Sequence, residues 1–110
     1  MTKADKLEIS TVLQERSSRY GKFSTHARLA QRLKIVMRGG NSWSRMSDVQ
    51  QEALEMIAHK IARILNGDPN YDDSWIDIAG YAQLVADELS RKARKLQTTS
   101  DELSGAGELE

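Results

Sequence analysis

The apolar positions of this chain recur mainly three and four residues apart. That spacing gathers them on one side of an α-helix, and no stretch shows the strict alternation of a half-buried strand. Four segments carry the pattern. The first spans residues 3–17, with Leu7, Val12 and Leu13 as its apolar side. The second starts at Ser24 or Thr25, either of which can cap a helix, and runs through Ala30 and Leu33 to Met37. Gly39-Gly40-Asn41 stops it. The third opens on Ser47 with Gln50 three residues later, a capping box, and Asp48 suits the positive end of the helix dipole. Its stripe is Ala53, Ile57, Ile61 and Ile64. Asn66-Gly67 predicts a left-handed stop, and Pro69 bars continuation. Asp72 or Asp73 caps the fourth segment, 74–96, whose stripe is Trp75, Ile78, Ala82, Val85 and Leu89. Gly80 interrupts it, and close helix packing is the favoured reading of a glycine there. From Gln97 onward the chain is polar without periodicity, which predicts a disordered tail.

The expected fold is therefore all-α: one domain of four helices over residues 1–96 and a tail over 97–110. Aromatic residues are few and the apolar content is mostly Ala, Leu and Ile. A domain this small has little core of its own, so the bundle is expected to be completed by self-association as a homodimer or homotetramer. The chain has no cysteine, which excludes disulfides and thiolate metal sites. No run is long and apolar enough to span a bilayer, and no apolar signal core opens the chain, so a cytoplasmic protein is expected.

A formal net charge of zero hides a segregation. Residues 16–45 hold eight Lys/Arg and no acid, whereas residues 46–90 hold nine of the sixteen acids and only Lys60 and Arg63 as bases. On a helical projection Glu52, Glu55, His59 and Arg63 share one arc of the third helix, nearly opposite the isoleucines. On the fourth, Asp73, Asp77 and Tyr81 share a face. Such carboxylates are hard oxygen ligands suited to Mg²⁺, with Mn²⁺ as a substitute. A metal held there would polarise a phosphoryl group and activate water. The competing reading is a solvated helix face with ordinary ion pairs. An antiparallel hairpin also sets Glu55 and Asp77 apart along the axis, since Glu55 lies about ten residues, or roughly 15 Å, before its helix ends. His59 is a candidate base or ligand. Lys60, at the edge of the apolar stripe, either snorkels to solvent or reaches an anion.

Arg28 and Arg32, four residues apart, lead the basic block, with Tyr20, Phe23 and His26 interleaved. Three readings compete: a phosphate-gripping wall facing the acids, a nucleic-acid surface tracking a phosphate backbone, and an electrostatic match between helices or subunits.

Arg19-Tyr20-Gly21-Lys22-Phe23-Ser24-Thr25-His26-Ala27, Ala58-His59-Lys60-Ile61-Ala62-Arg63 and Asp73-Ser74-Trp75-Ile76-Asp77-Ile78-Ala79-Gly80-Tyr81-Ala82 resemble a group of small phage- and prophage-encoded proteins of unassigned function. That group is similar to the MazG-like all-α nucleoside triphosphate pyrophosphohydrolases. The resemblance implies a MazG-like bundle, Mg²⁺ held by a Glu-x-x-Glu and a later Glu-x-x-Asp, and sites built between copies in dimers or tetramers. Glu52 and Glu55 match the first element and Asp77 the end of the second; Ser74 stands where the second glutamate would be, one residue from Asp73. It further implies hydrolysis of a (deoxy)nucleoside triphosphate to the monophosphate and pyrophosphate, in the host cytoplasm if phage-encoded. Glu52, Glu55, Asp73 and Asp77 would hold metal, Lys60, Arg28 and Arg32 would neutralise phosphate, and Tyr81 and His59 would touch substrate. A non-catalytic accessory protein that sequesters a nucleotide or binds a host protein is the first alternative, and a nucleic-acid-binding helical oligomer the second.

Overall fold

A computed structural model describes residues 2–108, with the side chains of Leu7 and residues 104–108 outside the description. Leu7 of the expected first stripe and the last two tail residues therefore fall outside it. The described residues form four α-helices, with no strand among them: α1 (Lys3–Tyr20), α2 (Phe23–Arg38), α3 (Asp48–Asn66) and α4 (Asp73–Glu108). A single 3-10 turn, Trp43–Arg45, joins α2 to α3. None of these helices is long and apolar enough to cross a membrane.

The ends of the helices follow local chemistry. Thr2 caps α1 in a reciprocal box with Asp5. Ser47 and Gln50 form the expected box at α3: the Gln50 N–H donates to the Ser47 hydroxyl at 3.1 Å, and the Ser47 N–H to Gln50 Oε1 at 2.9 Å. Three expectations are corrected. Ser24 and Thr25 do not cap α2. The helix starts at Phe23, because Gly21 at φ 76 turns the chain sharply enough for the His26 N–H to reach the Lys22 carbonyl at 3.0 Å. Gly67 is not left-handed, with φ at −123. It is glycine for space: a Cβ there would run into the Arg19 carbonyl oxygen and Tyr20 Cα. Finally, the chain past Leu96 is helical to Glu108 instead of irregular. Gln97 donates to Asp101 at 2.9 Å, an i,i+4 pair that supports the helix, and the Thr98 and Thr99 hydroxyls find acceptors in the Arg94 and Lys95 carbonyls of the same turn.

α3 is the central element, packed against α2 on one flank and α4 on the other. The seams are made by small residues. Ala30, Ala53, Ala58 and Ala62 are buried, and no large side chain among the described residues is fully so. The expected isoleucine stripe of α3 is only half-buried, and Trp75 and Leu89 of the α4 stripe are 54% and 49% exposed. Trp75 instead anchors the α3–α4 connection, its indole N–H donating to the Pro69 carbonyl at 2.9 Å. Periodicity identified helical faces correctly, but alanine lets two backbones approach closely and takes the contact from bulkier neighbours. Ile35, Val36 and Ile76 stand in the open at 64%, 76% and 60% exposure.

Gly80 does not serve close packing within the chain, since a Cβ built on it meets nothing within 4 Å. Gly80→Ala is therefore expected to stabilise the protein by about 1 kcal/mol through helix propensity, read as a higher urea midpoint. A lower midpoint would show that this surface is covered.

Candidate functional site

The turn between α1 and α2 is stapled to the end of α3. The Asn66 side-chain amide donates to the Tyr20 and Lys22 carbonyls, both at 2.9 Å, and the Asp68 N–H donates to the Arg19 carbonyl at 2.7 Å. Gly21 faces this staple, and a Cβ on it would run into the Asn66 carbonyl oxygen. The Arg63 guanidinium lies 4.4 Å from the centre of the Tyr20 ring, and Arg19 lies 5.1 Å from that of Tyr71. Tyr20 and Tyr71 meet with ring centres 6.2 Å apart. Two glycines and one amide thus hold Tyr20, Lys22 and Phe23 in fixed positions over α3.

Above the staple lies a cavity of about 450 Å³ between α1, α2 and the C-terminal half of α3. Arg16, Lys22 and Arg63 supply its charge, and Leu13, Tyr20 and Phe23 its apolar and aromatic wall. No Asp or Glu lines it. At its base His26 Nε2 and His59 Nδ1 share a hydrogen bond of 3.1 Å, with the rings edge to face at 4.4 Å. Phe23 stacks over His26 at 5.9 Å and is itself 77% exposed. His26 is 5% exposed, and its Nδ1 is buried without a hydrogen-bond partner among the described residues.

Burial holds the His26 imidazole below its ordinary range, helped by the positive charge of Arg63, Lys34 and Lys60. His59 is lowered to about 4, first by burial, then by His26 and the cations Arg63, Lys60 and Lys34. Both rings are therefore neutral at pH 7. A unit charge 4 Å from a cation is worth about 4 kcal/mol at an effective dielectric of 20. With three cations on the wall and no carboxylate, that term favours an anion and opposes a bare metal ion.

The residues expected to form an acidic metal site do not meet in one chain. Asp77 faces α3, but its carboxylate pairs with Lys60 at 2.9 Å. Lys60 thus neither snorkels free nor reaches a foreign anion. Glu55 lies about 140° around α3 from Lys60 and about 7.5 Å further along the axis. That turns the Glu52–Glu55 arc towards the flank on which His59 meets His26 from α2, whereas Asp77 approaches from α4. Glu52 is exposed and Glu55 half-buried. Among the described residues no three acids or imidazoles gather as a metal-holding group. Asp73 is exposed at the start of α4, and Tyr81 sits beside Asp77 and Gly80 in a shallow depression on α4. Ser74, at the position of the missing glutamate, is 3% exposed, so it is a packing residue. Arg28 and Arg32 are exposed, about 160° and 120° around α2 from His26. They form no wall towards the acids.

Of the expected site residues, only His59 reaches the cavity. Arg16, Lys22, Phe23 and His26 were visible as a basic and aromatic run. The signal for their convergence is the pair of glycines, Gly21 and Gly67, each placed where the backbone of the other's segment leaves no room for a Cβ.

The family described as Domain of unknown function (DUF6378) matches residues 3–89, which include every residue of the cavity wall. No curated protein and no solved structure matches the chain.

Proposed function

The chain belongs to the DUF6378 family, and from that premise we propose that it is a nucleotide-binding protein whose ligand occupies the cavity between α1, α2 and α3. The observation that carries this reading is the composition of the wall: three cations, two aromatic rings and no carboxylate. Phosphate would lie against Arg16, Lys22 and Arg63, where guanidinium groups grip it bidentately. The base would stack on Phe23, whose exposed ring is already aligned with His26. The volume falls within the range of small-ligand pockets. Calorimetry with nucleoside mono-, di- and triphosphates tests the proposal. Saturable binding that weakens as salt rises is expected, and no binding by any of them would refute it.

The protein is further proposed to work as a homo-oligomer. Ile35, Val36, Trp75 and Ile76 are more exposed than a stable monomer's core allows, and a second copy is the natural cover for faces that one sequence leaves open.

Magnesium-dependent hydrolysis of a (deoxy)nucleoside triphosphate is the second reading. It is favoured by one observation, the inward aim of Asp77 at α3 on a hairpin that also carries Glu52 and Glu55. It requires a second copy to bring that glutamate pair to Asp77, with Lys60 released to the phosphates. Metal-activated water would then cleave the triphosphate chain to a monophosphate and pyrophosphate, the chemistry that the MazG-like resemblance implies. Pyrophosphate release in Mg²⁺ that disappears in Glu55→Ala would support it.

A further inference from the structure

The two imidazoles at the base of the cavity have a chemistry that ligand binding alone does not use. Two neutral rings share two N–H groups among four nitrogens. One N–H is spent on the bond between His26 Nε2 and His59 Nδ1, whichever ring donates it. One outer nitrogen, His26 Nδ1 or His59 Nε2, therefore remains bare. A single added proton leaves the shared bond intact and converts that bare nitrogen into a donor. The pair is thus built to hold either two protons or three without moving.

What keeps the third proton out is visible around it. From α1 the cavity presents Arg16; from α2, Lys22 and, nearby, Lys34; from α3, Lys60 and Arg63. The α4 carboxylate of Asp77 is already paired with Lys60, and two further carboxylates lie just outside the wall: Glu55, one turn before His59 on α3, and Glu15 of α1, which lines the adjoining depression with Arg16 and Arg63. Burial adds to this cationic field. A phosphate lying among Arg16, Lys22 and Arg63 cancels much of the field and supplies an acceptor. A divalent cation carried in with it would find no carboxylate on the cavity wall to complete its coordination and would restore the repulsion.

Resting on the nucleotide reading, we infer that the cavity takes its phosphate ester free of divalent metal, and that the His26–His59 pair takes up one proton from solvent as the ligand binds. The proton does the neutralising that magnesium does elsewhere. The sign follows from linkage. The free pair is neutral at pH 7, because burial and the surrounding cations hold both imidazoles below their ordinary range, and the bound phosphate raises the pair's affinity for a proton. Binding therefore tightens as pH falls through the raised value and levels off once the free pair also protonates. If the phosphate restores the pair to imidazole's ordinary range near 6.5 while the free pair stays neutral at pH 5.5, affinity at pH 5.5 exceeds that at pH 7.5 by about tenfold.

The test is calorimetry on the full chain with 3′,5′-cyclic nucleoside monophosphates in EDTA. Their phosphodiester does not titrate in this range, so any pH dependence belongs to the protein. Each pH is run in two buffers of different ionisation heat, which counts the protons taken up. About one proton at pH 5.5 and a roughly tenfold gain over pH 7.5 are expected. The double variant His26→Gln/His59→Gln, which has no ring left to titrate, should bind with a flat pH profile, and His59→Gln alone, which leaves His26 to take the proton, should keep part of the dependence. The buffer comparison on the unsubstituted protein decides the matter even if either variant fails to fold. Binding without proton uptake, or binding that strengthens when Mg²⁺ is added, overturns the inference and leaves the nucleotide reading standing. No binding of the cyclic ligands at either pH overturns the inference too, and the open-chain panel in magnesium-free buffer then decides the nucleotide reading separately.

Discussion

Gly67→Ala is expected to cost about 3 kcal/mol or more, enough to leave much of a protein this small unfolded. The added methyl would occupy the space of the Arg19 carbonyl oxygen and Tyr20 Cα, both backbone atoms that no rotamer change can clear. Relief requires the α1–α2 turn to lift away from α3. That would break the 2.7 Å bond from the Asp68 N–H to the Arg19 carbonyl and the two bonds donated by the Asn66 amide. Urea unfolding followed by circular dichroism measures the effect. Asn66→Ala removes the two amide bonds without a steric insult and should cost about 2 kcal/mol, from two net hydrogen bonds of roughly 1 kcal/mol each. The order of the two midpoints, Gly67→Ala below Asn66→Ala, is the informative result. The reverse order would mean that the staple is not set by backbone contact.

Arg63→Ala is expected to weaken nucleotide binding about 30-fold, corresponding to about 2 kcal/mol for one charge-assisted contact to phosphate. Arg63 combines two roles. It lines the cavity, and its guanidinium covers the Tyr20 ring at 4.4 Å. Arg63→Lys keeps the charge but loses the flat stacking surface and the fork of donors, so it should recover only part of the affinity. Calorimetry on variants whose urea midpoint stays close to the unsubstituted protein separates lost binding from lost folding. Equal affinity in Arg63→Ala would place the phosphate elsewhere.

Much of the fold was legible because helix signals are local. The Ser47–Gln50 box needs only residues three apart, and it formed at the expected place. Thr2 and Asp5 carry the same kind of three-residue signal and form a box at the start of α1. Faces are less local. The isoleucines of α3 lie on a helical stripe, but which neighbour covers them depends on how closely backbones approach, and the buried contacts went to Ala58 and Ala62. Gly67 illustrates the limit well. Its sequence context signals a helix stop, and a stop is what it makes, yet its reason is a carbonyl 48 residues earlier. The site was least legible. Glu52, Glu55 and Asp77 were grouped by chemical kinship, whereas the pairing of Asp77 with Lys60 fixes them on different flanks of α3. His59 stands alone in its own stretch of sequence. Its partner His26 lies 33 residues away, and only the antiparallel packing of α2 on α3 brings the rings together.

The most direct test is a titration of the ¹⁵N-labelled protein with a nucleoside monophosphate, followed by amide chemical shifts. Saturable shifts confined to residues 16–26, 59 and 63 are predicted, with the amides near Arg28 and Arg32 quiet. Shifts that gather instead around Glu52, Glu55, Asp77 and Tyr81 would contradict the cavity as the binding site.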